Sequence, residues 1–286
     1  MEQPLGPRLL PCSRTVWRGW FLTVSTTHTI ISTLHCTYLS LNRAGTHISL
    51  ATNENFALFS DTEGFADTDL VFSEFFKECL KTPEYCELAQ RNVTAAELEA
   101  GMYAFLENIK YNPIGYAGFI VDNTVIKAVI RSNLYTPRAY PALATIFDGL
   151  LFNNLTKAAE GLGALGSNGL LAADDSPIGI QCADKAPRLT TLDALKPWLE
   201  KMYSTTKLLG DTMTQFGTLC VQWRFNANER YLGDFKVKTN HPILVVGNTY
   251  DPATPLRSAK NISASLEGSV VLEHGGFGVR FIPSSF

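Results

Sequence analysis

The sequence predicts an α/β protein: a largely helical middle region followed by a βαβ unit of a parallel sheet. Two observations carry that expectation. In the middle of the chain, between residues 67 and 202, several segments place their apolar residues on one helical face, the first with spacing i, i+4, i+8 that fits a helix and not a strand. Near the C-terminal end, Ile243-Leu-Val-Val246 is a short, solidly apolar run bounded by His241-Pro242 and Gly247-Asn248. Its length and β-branching suit a strand buried on both faces.

Taken in order, the elements start uncertainly. Arg8, Arg14 and Arg18 precede a stretch, Trp20 to Leu41, that is apolar but rich in Ser and Thr and contains His28 and His35. Those polar residues weaken membrane insertion, and no small-x-small cleavage site follows. Residues 1–55 are therefore expected to be a weakly structured segment with no firm membrane span, an anchor at 20–41 being the competing reading. Asp67 is expected to cap a helix whose face is Val71, Phe72, Phe75, Phe76, Cys79 and Leu80, ended by Pro83. Thr94-Ala-Ala-Glu97 reads as a capping box, opening a helix lined by Leu98, Met102, Phe105, Leu106 and Ile109. Val125, Ile126, Val129 and Ile130 make a third helix, and Leu143, Ile146, Phe147, Leu150 and Leu151 a fourth. Asn153 to Ser176, with Gly161, Gly163, Gly166 and Gly169, reads as a break. Leu192, Leu195, Trp198, Leu199 and Met202 make a fifth helix. After the apolar strand, Thr254 as N-cap and Pro255 at the first helical position start a helix with Leu256, Ala259, Ile262 and Leu266 on one face. Gly268 stops it, and Ser269 to Glu273 returns as a strand.

Composition excludes several functions. The chain of 286 residues has 24 Lys+Arg against 27 Asp+Glu, a net charge of −3, so it presents no chain-wide basic footprint for nucleic acid. No H-E-x-x-H or clustered ligand set is present, and the glycines at 161–169 lack the Lys-Ser/Thr of a phosphate loop. No metal or cofactor is expected. Six cysteines, at 12, 36, 79, 86, 182 and 220, form no C-x-x-C pair. Cys79 and Cys86 are close enough to staple a helix end to its loop, or are two separate buried thiols. Asn92, Asn154 and Asn261 head N-x-S/T sequons, which carry meaning in a secretory chain.

The run Pro242-Ile-Leu-Val-Val-Gly-Asn-Thr-Tyr-Asp251-Pro-Ala-Thr-Pro255, with Ala259-Lys-Asn261 and Gly268-Ser-Val-Val-Leu272, resembles the C-terminal part of the tripeptidyl-aminopeptidase-like serine hydrolases, a branch of the α/β-hydrolase superfamily. Asp67-Thr-Asp-Leu-Val-Phe-Ser-Glu-Phe-Phe76, Ile180-Gln-Cys182-Ala-Asp184 and Cys220-Val-Gln-Trp223 look like that family's helical lid. Cys182 and Cys220 fall in these segments and join Cys79 and Cys86 as disulfide candidates. The resemblance implies an incomplete α/β-hydrolase fold: a helical lid over 56–235 and a core unit over 236–286. It also implies Ser-His-Asp acyl transfer on a peptide or ester substrate, and a secreted or secretory-pathway protein. Asp251 stands at the family's acid position, where the carboxylate orients the imidazole; the plain alternative is a turn residue ahead of Pro252.

The other two members of the triad are not found. A nucleophile elbow needs G-x-S-x-G, and no serine here has a glycine two positions before it. Ser167, in Leu165-Gly-Ser-Asn-Gly169, is a loop imitation. The family's His follows a glycine after the last strand, and here Gly278 is followed by Val279. His274 falls five residues before that position and reads as a strand-end histidine; His28, His35 and His47 lie in the unmatched head, and His241 precedes a strand. The expectation is an incomplete copy of a larger hydrolase, from a truncated gene or a misread splice pattern, and inactive as written. The alternative is a non-catalytic interaction protein derived from the lid.

Overall fold

A computed structural model describes residues 20–23, 60–116, 118–165, 176–184, 188–228 and 236–279; it is mostly helical with a small parallel sheet. Helix α1 (Thr68–Lys81) buries Val71, Phe72, Phe75, Phe76 and Cys79, the face its spacing predicts. Its phenyl rings meet Phe147 edge-on or stacked, with Phe72–Phe76 centroids 5.0 Å apart. Asp67 stands at its N-cap position, but the side chain makes no capping hydrogen bond. The residue has φ −106° and ψ 5°, outside extended capping geometry, and its carboxylate instead pairs with Arg257 at 2.5 Å.

Helix α2 (Ala95–Tyr111) has the capping box: Thr94 Oγ1 accepts from Glu97 N at 3.2 Å, and Thr94 N donates to Glu97 Oε2 at 2.7 Å. A short hairpin, β2 (Ile114–Tyr116) and β3 (Phe119–Val121), then leads to α3 (Asn123–Leu134), where Asp122 Oδ1 accepts from Val125 N at 2.9 Å. Strands of three residues leave too little alternation to be read from the sequence.

Helix α4 (Tyr140–Leu151) buries Leu143, Ile146, Phe147 and Leu150 as expected. The segment after it is not the continuous break that its glycines suggest. Leu155–Ala164 forms helix α5, capped by Asn154 Oδ1 accepting from Lys157 N at 3.1 Å. The glycines make a close helix crossing: a Cβ on Gly149 would fall on the Ala158 nitrogen and the Asn154 carbonyl, and one on Gly161 would fall on Ile146 and Ala142 O. The packing gained there offsets the helix cost of glycine, about 1 kcal/mol per residue. Gly149→Ala is therefore expected to lower stability by about 3 kcal/mol in urea unfolding. Gly163→Ala, whose Cβ meets nothing within 4 Å, is expected to be neutral or to stabilise by about 1 kcal/mol. Equal effects at the two positions would refute the close-crossing account. Ser167, Gly166 and Gly169 lie outside the described residues.

Helices α6 (Ser176–Asp184), α7 (Leu192–Thr205) and α8 (Thr214–Val221) follow. Leu195, Trp198 and Met202 of α7 are buried, but Leu192, at the helix's first position, is 66% exposed. Disulfides join Cys79 to Cys86 between α1 and the turn at Glu87–Gln90, and Cys182 to Cys220 between α6 and α8. Residues of α1–α5, α7 and α8 share one apolar core.

The C-terminal part is β4 (Val237–Lys238), β5 (Ile243–Tyr250), α9 (Leu256–Ser265), β6 (Leu266–Glu267) and β7 (Val270–Phe277). β5 and β7 are parallel, Leu244 opposite Val270 and Asn248 opposite His274, with an irregularity before Tyr250 pairs with Phe277. β4 and β6 pair separately, also parallel. Ile262 and Ala259 of α9 pack on Val245, which is fully buried. Both strands run longer than the apolar runs that signal them, because backbone pairing continues through Gly247–Tyr250 and through His274–Phe277. A two-strand βαβ unit would leave Ile243–Val246 without a second neighbour, and the structure supplies one. Trp20–Thr23 forms strand β1, parallel to β5 with Trp20 opposite Ile243 and Thr23 opposite Val246. An apolar strand buried on both faces needs pairing on both edges, and a four-residue segment of the head provides it.

Candidate functional site

Asp251 begins the turn at the C-terminal end of β5, and only 2% of it is exposed. Its Oδ1 accepts from the backbone N–H groups of Ala253 (2.9 Å) and Thr254 (2.7 Å), and the Thr254 hydroxyl donates to Oδ2 at 2.6 Å. Thr254 is thus not the N-cap of the following helix; that position falls to Pro255, whose carbonyl accepts from Ser258 N at 2.8 Å. The short D-x-x-T turn makes the local bond to the carboxylate the better partner for the hydroxyl.

The helical part closes over this turn. Thr68 Oγ1 donates to Pro252 O at 2.9 Å, and Thr68 is fully buried. Glu63 Oε1 accepts from the Ser258 hydroxyl (2.8 Å) and from Asn261 Nδ2 (2.9 Å), while Arg257 pairs with Asp67. The result is a carboxyl almost completely removed from water. Burial pushes Asp251 up to about 7, outweighing the hydrogen bonds from Thr254 and Ala253, and the nearby Asp67 charge adds to the rise. Tyr140 is also raised, by burial first and by the Asp251 charge second.

Across the sheet, Asn248 and His274 are register partners. Asn248 Nδ2 donates to Gly278 O at 2.7 Å, so its amide oxygen faces His274 Nδ1 at 3.0 Å. A carbonyl cannot donate, so the proton of that contact sits on His274 Nδ1. His274 lies within β7, half-buried, and its ring fills the space that a Cβ on Gly276 would need. Beyond it, Tyr250 stacks on Phe277 at 4.4 Å, and Gly278, at φ +84°, donates to Tyr250 O at 2.9 Å. Val279, in the position where the resemblance looks for a histidine, is 3% exposed and donates its N–H to Tyr135 O at 3.0 Å.

Thr68 and Asn248 shape this site and were not singled out from the sequence, and Thr254 was singled out as a helix cap, not as a partner of Asp251. The D-x-x-T spacing could have revealed Thr254; Thr68 meets Pro252 across 184 residues and leaves no local signal. His241 is exposed ahead of β5. Of the sequons, Asn92 is exposed just before α2, Asn154 is exposed at the start of α5, and Asn261 lies inside α9. Among the described residues no group of three or more His, Cys, Asp or Glu is placed to hold a metal ion, and no helix is long and apolar enough to cross a membrane. An open cleft of about 640 Å³, lined by Pro83, Tyr85, Glu87, Arg138, Pro141 and Thr145 among others, lies on the helical part away from Asp251.

Residues 206–285 match the family model described as TAP-like protein. The match supports a TAP-like domain of the α/β-hydrolase superfamily over that stretch, which contains α8, the βαβ unit and Asp251, and it suggests a hydrolase-type function. No curated protein matches the chain.

Proposed function

We propose that this chain is built on the architecture of a peptidase- or esterase-type serine hydrolase, with Asp251 in the place of the triad acid, and that it does not itself catalyse acyl transfer. The observation that carries the first half is the placement of a buried carboxyl at the end of a parallel strand, in the turn that leads into α9. Its turn and hydroxyl bonds fix its direction, as an imidazole-orienting acid requires. Support for the second half is the buried Val279 after Gly278 and the lack of any G-x-S-x-G in the sequence. Without an activated serine and its base, most of the rate enhancement of such a site is lost.

The test is incubation of the purified chain with a fluorophosphonate probe, together with tripeptidyl amides and short-chain esters as substrates. No labelling and no turnover above background are expected. A serine labelled stoichiometrically, with matching turnover, would sink the inactive reading.

A second reading, a non-catalytic interaction protein derived from the lid, is favoured by one feature: the buried residues of the largest apolar core come from the helical part, α1–α5, α7, α8 and their connections, with Tyr250 and Phe277 packed at its edge. A single sharp melt in a chain that shows no labelling would favour it over a hydrolase relic that cannot fold alone.

A further inference from the structure

We propose that Asn92 and Asn154 are N-glycan acceptors and that Asn261, although it heads an equally complete sequon, is not. In the transfer, the Asn amide nitrogen bonds to C1 of the first sugar of an oligosaccharide carried on a lipid pyrophosphate. The C1–O bond to the pyrophosphate breaks, and one amide proton leaves to the transferring enzyme. The reaction needs an asparagine amide nitrogen free to react and held on surface backbone outside the interior of a helix or strand, with the downstream hydroxyl near it.

Asn92 meets that need. It is exposed, it lies in the non-helical stretch before α2, and no hydrogen bond among the described residues uses its side chain. Thr94, which carries the sequon hydroxyl, is exposed as well; that hydroxyl also serves the capping box with Glu97, on non-helical backbone at the start of α2. Asn154 is exposed at the cap position of α5, outside the helix proper. Its carbonyl oxygen is the capping atom, accepting from Lys157 N, and glycan transfer leaves that oxygen untouched. The cap and the modification therefore use different atoms of one side chain.

Asn261 differs on three counts. It sits in the interior of α9, where the backbone is helical on both sides. Its amide nitrogen already donates to Glu63 Oε1, on the helix face that meets the turn at Ser60–Phe65. The sequon hydroxyl, on Ser263, also lies within α9, and the intervening Ile262 is buried in the sheet-side cluster. Asn261 is exposed like the other two, so what sets it apart is that a glycan at this nitrogen would have to displace the Glu63 bond on helical backbone. The two disulfides, Cys79–Cys86 and Cys182–Cys220, belong to the oxidising compartments in which such transfer takes place.

The inference depends on entry into the secretory pathway, which the experiment supplies. The full chain is expressed behind a cleavable secretion signal in eukaryotic cells and digested with peptide N-glycosidase in heavy-oxygen water. Peptide mass spectrometry then reads each site, in the retained pool as well as in the medium, since transfer precedes export. Heavy-oxygen aspartate is expected at 92 and 154, with unmodified asparagine at 261, so that the enzyme removes two glycans from the intact chain. Label at 261, or unmodified asparagine at either 92 or 154, overturns the assignment. None of these outcomes depends on hydrolase activity, so the two proposals fail separately.

Discussion

Asparagine in place of Asp251 is expected to raise the thermal midpoint at pH 8 while leaving it nearly unchanged at pH 4. The reason is linkage. A carboxyl whose pKa is raised from an ordinary 3.8 to about 7 on folding binds its proton more tightly in the native state. Its contribution to stability is fully present below the unfolded pKa, declines as pH rises through the interval, and is lost above about 7. At about 1.4 kcal/mol per unit, the wild-type chain gives up about 4 kcal/mol between pH 4 and pH 8 from this one group. The variant keeps the shape. Its amide oxygen accepts from Ala253 and Thr254 N–H as Asp251 Oδ1 does, and the Thr254 hydroxyl turns to accept from the new amide nitrogen. Melting curves of both proteins from pH 4 to pH 8 make the comparison. If the wild-type curve runs parallel to that of D251N across the range, the Asp251 carboxylate is not desolvated as described.

The second large effect is expected at Asp148, with the opposite dependence on pH. This carboxylate is completely buried on α4. Oδ1 accepts from Arg91 Nε at 2.7 Å; Oδ2 accepts from Arg91 Nη2 at 2.9 Å and from Lys157 Nζ at 2.7 Å. Burial alone would push its pKa up, but the hydrogen bonds from Arg91 and Lys157 win and hold it below the usual carboxylate range. Lys157 also contacts Glu87, and Arg91 lies over the Phe152 ring at 4.2 Å, so the group ties the turn at Glu87–Gln90 to α4 and α5. Asp148→Ala takes away the only carboxylate on Arg91 among the described residues and leaves Lys157 with Glu87 alone. Breaking a buried pair costs about 3–5 kcal/mol, and the lower figure applies because Arg91 is 41% exposed and partly solvated. The loss is expected in full at pH 7 and shrinks as pH falls through the carboxylate range, where the wild type is itself protonated. Urea unfolding at pH 7 and pH 3 measures both. A difference under about 1 kcal/mol at pH 7 would mean that the network is an ordinary surface salt bridge.

These two aspartates differ in how visible they are before folding. Asp251 could be singled out because its neighbours form a long run, Asn248-Thr-Tyr-Asp-Pro-Ala-Thr-Pro, at the end of an apolar strand. Asp148 sits in an apolar helix with no local mark, since its partners are 57 residues upstream and 9 residues downstream. The helix faces were legible for a similar reason as Asp251. Phe72, Phe75 and Phe76, or Leu143, Ile146 and Phe147, are placed on one side by the helical period alone. Helix α5 was missed because Gly161, which reads as part of a break in one dimension, permits a close crossing in three.

By itself, the sequence determined the helical faces, the capping box at Thr94, the βαβ unit and the position of Asp251, because each depends on periodicity or contact between near neighbours along the chain. Only the tertiary structure decided that Trp20–Thr23 is the second neighbour of β5, that Asp67 pairs with Arg257 instead of capping its helix, and that Thr68 covers the Asp251 turn. Each of these is a bond between residues far apart in the chain. Its partner is chosen by burial and by competition for hydrogen bonds, and neither exists until the elements have packed.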